Sequence, residues 1–373
     1  MMSNEREWVL IEVGLALLGA AFLLSVLFCG MARRFAARFG FLDRPGGHKG
    51  HAAPVPLGGG VAIWLATLAV LGMSGLVVFS CRAKLPPELA QHVPGAREKT
   101  GGLLEILALA TVIMVMGLVD DRKNLKWQLR LGIQFLCATI LAASGIHVTL
   151  FGSFTHPALG GAVTVLWIVG LTNSFNMLDN MDGLAASVGL IAAVLFCVAQ
   201  IAVKSLFVPA VLLILIGALA GFLVHNHAPA RLYMGDAGSN FLGFLLGALT
   251  VVGTYYKSGL TSPFSVLVPL LVMAVPLYDT ASVVLIRLRE GRSPFQGDRR
   301  HFSHRLVARG LTPPQAVWTI DLVTLAGGLG ALLLHREGAW GAGLIVVQTC
   351  CLLGVVAILE LARSRPEPRS TAG

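Results

Sequence analysis

Eleven stretches of nearly unbroken apolar sequence constrain this chain more than any other feature. They cover 8–30, 58–80, 103–119, 129–147, 160–177, 183–202, 206–224, 240–256, 264–288, 316–335 and 339–362, and only 31–57, 81–102 and 289–315 are long connections. A helix needs about 20 apolar residues to cross a bilayer. With 55% apolar and only 13% charged residues, the chain also falls far below the roughly 25% charge of a soluble domain. The expectation is an all-α polytopic membrane protein of about eleven transmembrane helices. It would form one transmembrane domain over 1–363, followed by a disordered cytoplasmic tail at 364–373 ("SRPEPRSTAG").

The six cysteines, Cys29, Cys81, Cys137, Cys197, Cys350 and Cys351, contain no CxxC pair, and five sit in apolar runs. They read as small hydrophobes and not as disulfides or zinc ligands. Phe28 before Cys29, and the acidic "SNERE" start, argue against a lipoprotein site or a cleaved signal peptide.

The net charge of +9 would point to nucleic acid in a soluble protein. Topology accounts for it better. With the N-terminus outside and the spans alternating, 20 of the 28 Lys and Arg fall in cytoplasmic loops, as the positive-inside rule requires. The expected orientation is N-out and C-in. Eight of the nine Asp fall on or beside the same face: Asp43, Asp120, Asp121, Asp179, Asp182, Asp236, Asp279 and Asp298, with Asp321 the exception. The Glu residues share no such bias, so general solubility does not explain the pattern.

Several motifs carry this asymmetry. "NSFNMLDNMDGL" places Asn173, Asn176 and Asp179 three apart, on one face of a helix, and Asp182-Gly183 mark the turn after it. Carboxylates and amide carbonyls are the oxygen ligands magnesium takes, and amides also hydrogen-bond a nucleobase or ribose. Interhelical bonding and helix capping are the bland alternatives, but so many polar groups in a membrane segment usually mark function. "MGLVDDRKN" sets Asp120 and Asp121 at the end of the third span. Two adjacent carboxylates repel unless a cation compensates. "RLYMGDAGSNFLG" holds Asp236 between Gly235 and Gly238, where glycines permit close backbone approach to a ligand and the following helix start favours phosphate. "GDRRHFSHRL" gathers Arg299, Arg300, His301, His304 and Arg305 beside Asp298, side chains suited to phosphate oxygens or to anionic lipid. "DRPGGHKGHAAPVP" adds Lys49 and His51 in a Pro/Gly-rich loop. Asp279, inside the ninth span, is expected to pair with a basic group such as Arg287. Together the clusters point to a magnesium-dependent phosphate site facing the cytoplasm.

In that order, the motifs resemble those of the polyprenyl-phosphate N-acetylhexosamine-1-phosphate transferases, over residues 43 to 306. D-x-P-x-x-R-K-x-H-x-x-P-x-P is met by Asp43, Pro45, Lys49, His51, Pro54 and Pro56, the Asp-Asp pair by Asp120-Asp121, and N-x-x-N-x-x-D-x-x-D-G-L by Asn173 to Leu184. M-G-D-x-G-S is met by Met234 to Ser239, and D-R-x-H-x-H-H-R-L by Asp298 to Leu306. The sequence departs from the pattern at three places: Ser303 stands for the middle His, His48 for an Arg, and Asn180 for a Gly. The histidine motif resembles that of the UDP-N-acetylglucosamine–undecaprenyl-phosphate branch more than that of the phospho-N-acetylmuramoyl-pentapeptide transferases, which are the alternative.

The resemblance implies an eleven-span enzyme of the inner (cytoplasmic) membrane that opens a cell-envelope glycan pathway. A UDP-sugar and undecaprenyl phosphate would give the lipid diphosphate-sugar and UMP, with Mg2+ as cofactor and the bilayer and a homodimer as further partners. It implies magnesium on Asp236 and Asn176. Asp120 would deprotonate or position the acceptor phosphate, and Asp121 would orient it or balance Lys49. Asp179 and nearby Asn groups such as Asn173 would hold the uridine, while His301, His304 and Arg305 would hold the diphosphate or sugar; Lys49, His51 and Asp182 would also bind substrate. Attack on the β-phosphorus would be direct, with an aspartyl-phosphate at Asp120 or Asp236 as the other route. Other families fit less well. A CDP-alcohol phosphotransferase would need Arg where Ser187 stands, an aromatic prenyltransferase would need a second acidic loop, and a transporter would carry ionisable groups at the midplane within a repeated half.

Overall fold

The computed structural model describes residues 2–43, 54–80, 85–148, 156–294 and 300–361, so the expected tail at 364–373 lies outside the described residues. Among the described residues fourteen α-helices form one bundle: α1 (Met2–Phe39), α2 (Gly59–Ser80), α3 (Pro87–Ala90), α4 (Val93–Lys123), α5 (Trp127–Ala143), α6 (Pro157–Leu178) and α7 (Leu184–Ala202) come first. They are followed by α8 (Phe207–Asn226), α9 (Gly235–Val252), α10 (Val268–Val272), α11 (Ala274–Arg289), α12 (Phe302–Ala308), α13 (Pro313–Leu333) and α14 (Ala339–Leu361). The only strands among the described residues are β1 (Leu42–Asp43) and β2 (Val55–Pro56), an antiparallel two-residue ladder.

Local sequence explains the helix boundaries. Pro residues open α4, α6 and α13 in the first turn, where a missing amide costs nothing. Thr312 and Gln315 close a reciprocal capping box on α13. Asn124 ends α4 in the left-handed conformation, with φ 47°.

Each of the eleven apolar stretches falls on a helical segment, and the polytopic all-α membrane architecture holds. Nine of the described helices are long and apolar enough to cross a membrane, or ten if a bent pair is taken as one span. That pair is the 264–288 stretch. A 3-10 turn (Pro263–Leu267) leads into α10, and α11 leaves at 58° to it. Pro276 supplies no amide for the Val272 carbonyl, so the hydrogen-bond ladder breaks there. The expected 129–147 span is the 17-residue α5. It stops where Ser144 and Gly145 (φ +100°) turn the chain.

Burial separates centre from rim. Of the most apolar stretch of each helix, 78% is buried in α9, 67% in α7 and 61% in α8, against 11% in α1 and 22% in α14. The centre is reached through small residues, as lipid-embedded packing requires. Gly243 of α9 lies against the backbone of α6: a methyl there would stand 2.6 Å from the Leu171 carbonyl oxygen and 2.7 Å from Thr172 Cα. One turn further along, a methyl on Gly247 would have its nearest neighbour, Ile168 Cα, at 3.3 Å.

Gly243→Ala should therefore destabilise the detergent-solubilised protein by about 1–3 kcal/mol and Gly247→Ala by less than about 1 kcal/mol. Thermal unfolding of the two variants checks the ordering; equal midpoints would contradict the α6–α9 contact.

Candidate active site

The C-terminal ends of α4 and α6 and the N-terminal end of α9 meet at one end of the bundle. Glycine makes the meeting possible. A methyl on Gly60 of α2 would lie 2.2 Å from the Gly238 amide nitrogen, and one on Gly117 of α4 would lie 2.3 Å from the Asp236 carbonyl oxygen. Gly60, Gly117 and Gly238 thus serve helix-to-helix contact, and the close approach to a ligand expected of Gly238 gives way to close approach between α2 and α9.

Asp121 and Asp236 define the junction. The Asp121 carboxylate, on α4, accepts the amide hydrogens of Asp236 (2.8 Å) and Ala237 (3.2 Å) in the first turn of α9. A carboxylate is favoured there by the orphan amides and the helix dipole. The start of α9, expected to receive phosphate, already holds this internal anion.

Asp120 is 4% exposed, and both its oxygens are engaged. Oδ1 accepts the Leu125 amide at 2.6 Å, and Oδ2 lies 2.5 Å from Nη1 of Arg130 on α5. The same Nη1 stands 3.6 Å from Asp236 Oδ2. Arg130 thus bridges the two carboxylates and offsets part of their repulsion. The sequence had shown it only as one of many loop cations.

Asn176 reaches the site from α6. Its Nδ2 donates to Asp236 Oδ1 (2.7 Å) and to Ser239 Oγ (3.1 Å). Asn173, three residues earlier, faces the interior instead. It donates to Gln134 Oε1 at 2.6 Å, Gln134 donates to Asn240 Oδ1 at 3.0 Å, and Asn240 donates to the Asp236 carbonyl at 2.7 Å. Asn173 is therefore part of an amide chain joining α6, α5 and α9. Gln134 and Asn240, both buried, were missed; each is a lone amide inside an apolar run, a detectable signal.

Asp179 caps α6, and its neighbourhood is acidic. Burial, followed by the charges of Asp121 and Asp182, pushes its carboxyl up to about 7. Asp182 accepts the Ala230 amide at 2.9 Å. Gly183, at φ +81°, donates its amide to Asn226 Oδ1 at 2.9 Å, and Asn226 in turn donates to the Leu232 carbonyl. The 179–183 loop is thus pinned to the loop that precedes Asp236. The end of β2 lies nearby, since Leu57 bridges Tyr233 and the Tyr233 amide donates to the Pro56 carbonyl. Lys49 and His51, like Asp298, lie outside the described residues.

The histidine motif arrives on α12. Asp279, fully buried on α11, accepts from His301 Nδ1 at 2.8 Å and from the Phe302 amide at 2.9 Å. Asp279 is thus the partner of His301, whereas Arg287, the partner expected for it, donates to the Pro294 carbonyl. A carboxylate accepting from Nδ1–H orients the ring and turns Nε2 to its far edge. His304 is half-buried on the same helix. Arg305 turns away from the aspartates, donating to Glu360 of α14 (2.8 Å), Ser282 (2.9 Å) and the Arg300 carbonyl. One further bond joins the two halves of the site: Ser303 Oγ donates to Asn180 Oδ1 at 2.6 Å.

The structure thus gathers Asp120, Asp121, Asn176, Asp179 and Asp236, with Arg130 among them, and links His301 to them through Asn180. It leaves Asn173 and Arg305 on interior partners. Among the described residues no three His, Cys, Asp or Glu side chains converge as a closed metal cage. A magnesium ion does not need one, because it keeps water and substrate phosphate and takes only one or two protein carboxylates. Asp236 beside the Asn176 amide, in an excess of carboxylate charge, fits that donor set.

Comparison with known proteins places this constellation. The family model described as Glycosyl transferase family 4 matches residues 103–254, which hold Asp120, Asp121, Asp179, Asp182 and Asp236. A decaprenyl-phosphate N-acetylglucosaminephosphotransferase of Mycolicibacterium smegmatis is 30% identical over 378 residues, 93% of this chain and 87% of the relative. The chain belongs to glycosyl transferase family 4. Within it, the chain is one of the polyprenyl-phosphate N-acetylhexosamine-1-phosphate transferases that its motifs resemble, an enzyme of the phosphoglycosyltransferase class. The Mycobacterium tuberculosis H37Rv protein of the same name is 30% identical over 374 residues, 94% of this chain and 89% of the relative. The undecaprenyl-phosphate alpha-N-acetylglucosaminyl 1-phosphate transferase of Escherichia coli K12 is 29% identical over 337 residues, 83% and 79% of the two chains. These relatives place the chain nearer the N-acetylglucosamine branch than the pentapeptide branch.

The raised Asp179 carboxyl has a measurable sign. A carboxyl lifted from the usual 3.8 to about 7 binds more protons folded than unfolded. Stability therefore falls as pH rises through that window and levels off above it. In metal-free protein, the melting-temperature gain of Asp179→Asn over wild type should be larger at pH 8 than at pH 5. A pH-independent difference would show that Asp179 is not crowded as described.

Proposed function

We propose that this transferase moves N-acetylglucosamine-1-phosphate from UDP-N-acetylglucosamine to undecaprenyl phosphate, releasing UMP, at the cytoplasmic face of the inner membrane. The names of the relatives support the acceptor class and the sugar phosphate. The observation that carries the reading is the meeting of Asp236, Asn176, Asp120 and Arg130 at one end of an apolar bundle, within reach of the Asp179 and His301 loops. A water-soluble nucleotide sugar and a lipid-borne phosphate can both come to such a place. The loop-charge bias, with 20 of 28 basic residues on that side, supports an N-out, C-in arrangement in which the short α5 and the bent α10–α11 pair complete eleven crossings.

In this reading Asp236 and Asn176 hold a magnesium ion, which when bound supplies charge neutralisation to a diphosphate. Turning the Asn176 amide would present its oxygen beside Asp236 Oδ1. Arg130, steadied by Asp120, offers a fixed guanidinium to phosphate oxygens in the same space. An acceptor phosphate oxygen attacks the β-phosphorus, the bond to the UMP oxygen breaks, and a lipid diphosphate forms. Direct attack is favoured over an aspartyl-phosphate at Asp120, because that carboxylate has both oxygens bound. The Asp179 loop receives the nucleoside, and His301 Nε2, oriented by Asp279, faces the diphosphate or sugar. Asp121 and Asn173 act as positioning residues through α9. The work of the site is positioning and charge complementarity.

The test is UMP release by purified protein supplied with undecaprenyl phosphate, Mg2+ and a panel of UDP-sugars. UDP-N-acetylglucosamine should be preferred, chelation should stop turnover, and Asp236→Asn should lower kcat by about 100-fold or more. Near-normal turnover by Asp236→Asn would overturn the cation assignment.

A further inference from the structure

Two residues that depart from the family pattern, Asn180 and Ser303, lie 123 positions apart and are hydrogen-bonded to each other at 2.6 Å. Each sits inside a motif that carries chemistry. Asn180 follows Asp179 and precedes Asp182 in the α6–α7 loop, while Ser303 follows His301 in the first turn of α12. The acceptor is held in place, because Asn180 Nδ2 donates to the Met177 carbonyl at 2.8 Å, leaving Oδ1 toward the serine. The donor is fully buried. Its helix is also fixed at its start, where Asp279 receives the Phe302 amide and His301, and one turn on, where Arg305 donates to Ser282 of α11 and to Glu360 of α14. The first turn of α12 is therefore held from two sides, by α11 through Asp279 and by the aspartate loop through Asn180.

We infer that the Asn180–Ser303 bond is a clasp that sets the distance between the His301 side and the Asp179 side of the donor pocket. Asn180 and Ser303 are thus positioning residues for the nucleotide sugar. The bond is neutral and adds no charge near a diphosphate, so its effect is on spacing. Releasing it frees the Asn180 loop from the first turn of α12, so the Asp179 side and the His301 side can draw apart across the donor while the Asp120–Arg130–Asp236 cluster stays untouched. The inference rests on the function proposed above.

Steady-state kinetics on Asn180→Ala, Ser303→Ala, the double variant and Ser303→Thr decide it. Each alanine variant should raise KM for UDP-N-acetylglucosamine by about three- to ten-fold, the worth of one hydrogen bond. The kcat and the KM for undecaprenyl phosphate should stay within about two-fold. The double variant should be no worse than the weaker single, since both remove one bond. Ser303→Thr, which keeps the hydroxyl, should restore the donor KM. Multiplying effects in the double variant, or a loss confined to kcat or to the acceptor KM, would overturn the clasp. Asn180 is half-buried, so its alanine variant carries the test even if the void at Ser303 unfolds that protein. Wild-type enzyme silent on every UDP-sugar would instead overturn the function on which the clasp depends.

Discussion

The site depends on one carboxylate placed at the start of another helix. Asp121 on α4 accepts the amides of Asp236 and Ala237 in the first turn of α9, and that contact sets the register of the two helices against each other. Shift it by a residue, and Asp236 no longer meets Asn176 or Arg130. The bond is strong for its setting. The donors are orphan amides at the positive end of a helix dipole, and the surroundings exclude most water, so the ionic hydrogen bond is little screened. Gly60, Gly117 and Gly238 supply the other half of the constraint, because only backbones without side chains can come this close.

Polar groups deeper in the bundle obey the same logic of mutual satisfaction. An amide buried in hydrocarbon without a partner costs several kcal/mol. Asn173, Gln134 and Asn240 avoid that cost by donating in sequence until the last reaches the backbone of Asp236. Any displacement of α5 or α6 is therefore felt at the carbonyl of the residue proposed to hold the cation. Asp279 does the same for His301 from the other side.

Much of this was legible in the chain. The apolar runs give the helices, and the three-residue spacing brings Asn176 and Asp179 to the site, although Asn173 turns inward to Gln134. The one-sided Asp distribution gives the functional end. What the sequence hid are duties that arise only across long separations. A carboxylate pair at a helix end looks the same whether it reacts or caps, and the amide that Asp121 caps lies 115 residues away. Arg130 looked like a topogenic charge because its role appears only when α5 folds back on α4. Arg305 looked like a phosphate ligand because nothing local reveals that Glu360, 55 positions on, claims its guanidinium. The bend after α10 was legible in principle through Pro276, but hydropathy runs straight across it.

Helix α5 has a consequence for the surrounding lipid. Its 17 residues extend about 26 Å, short of the roughly 30 Å hydrocarbon slab. Its outer side leaves Leu129, Phe135, Leu136 and Ile140 exposed, an apolar flank suited to acyl chains. In the eleven-span arrangement proposed above, a helix this short would draw the leaflets together around it. Headgroups beside α5 would then ride deeper than elsewhere, next to Arg130 in its first turn, and a long-chain phosphate diffusing in that leaflet would arrive already lowered toward the aspartates.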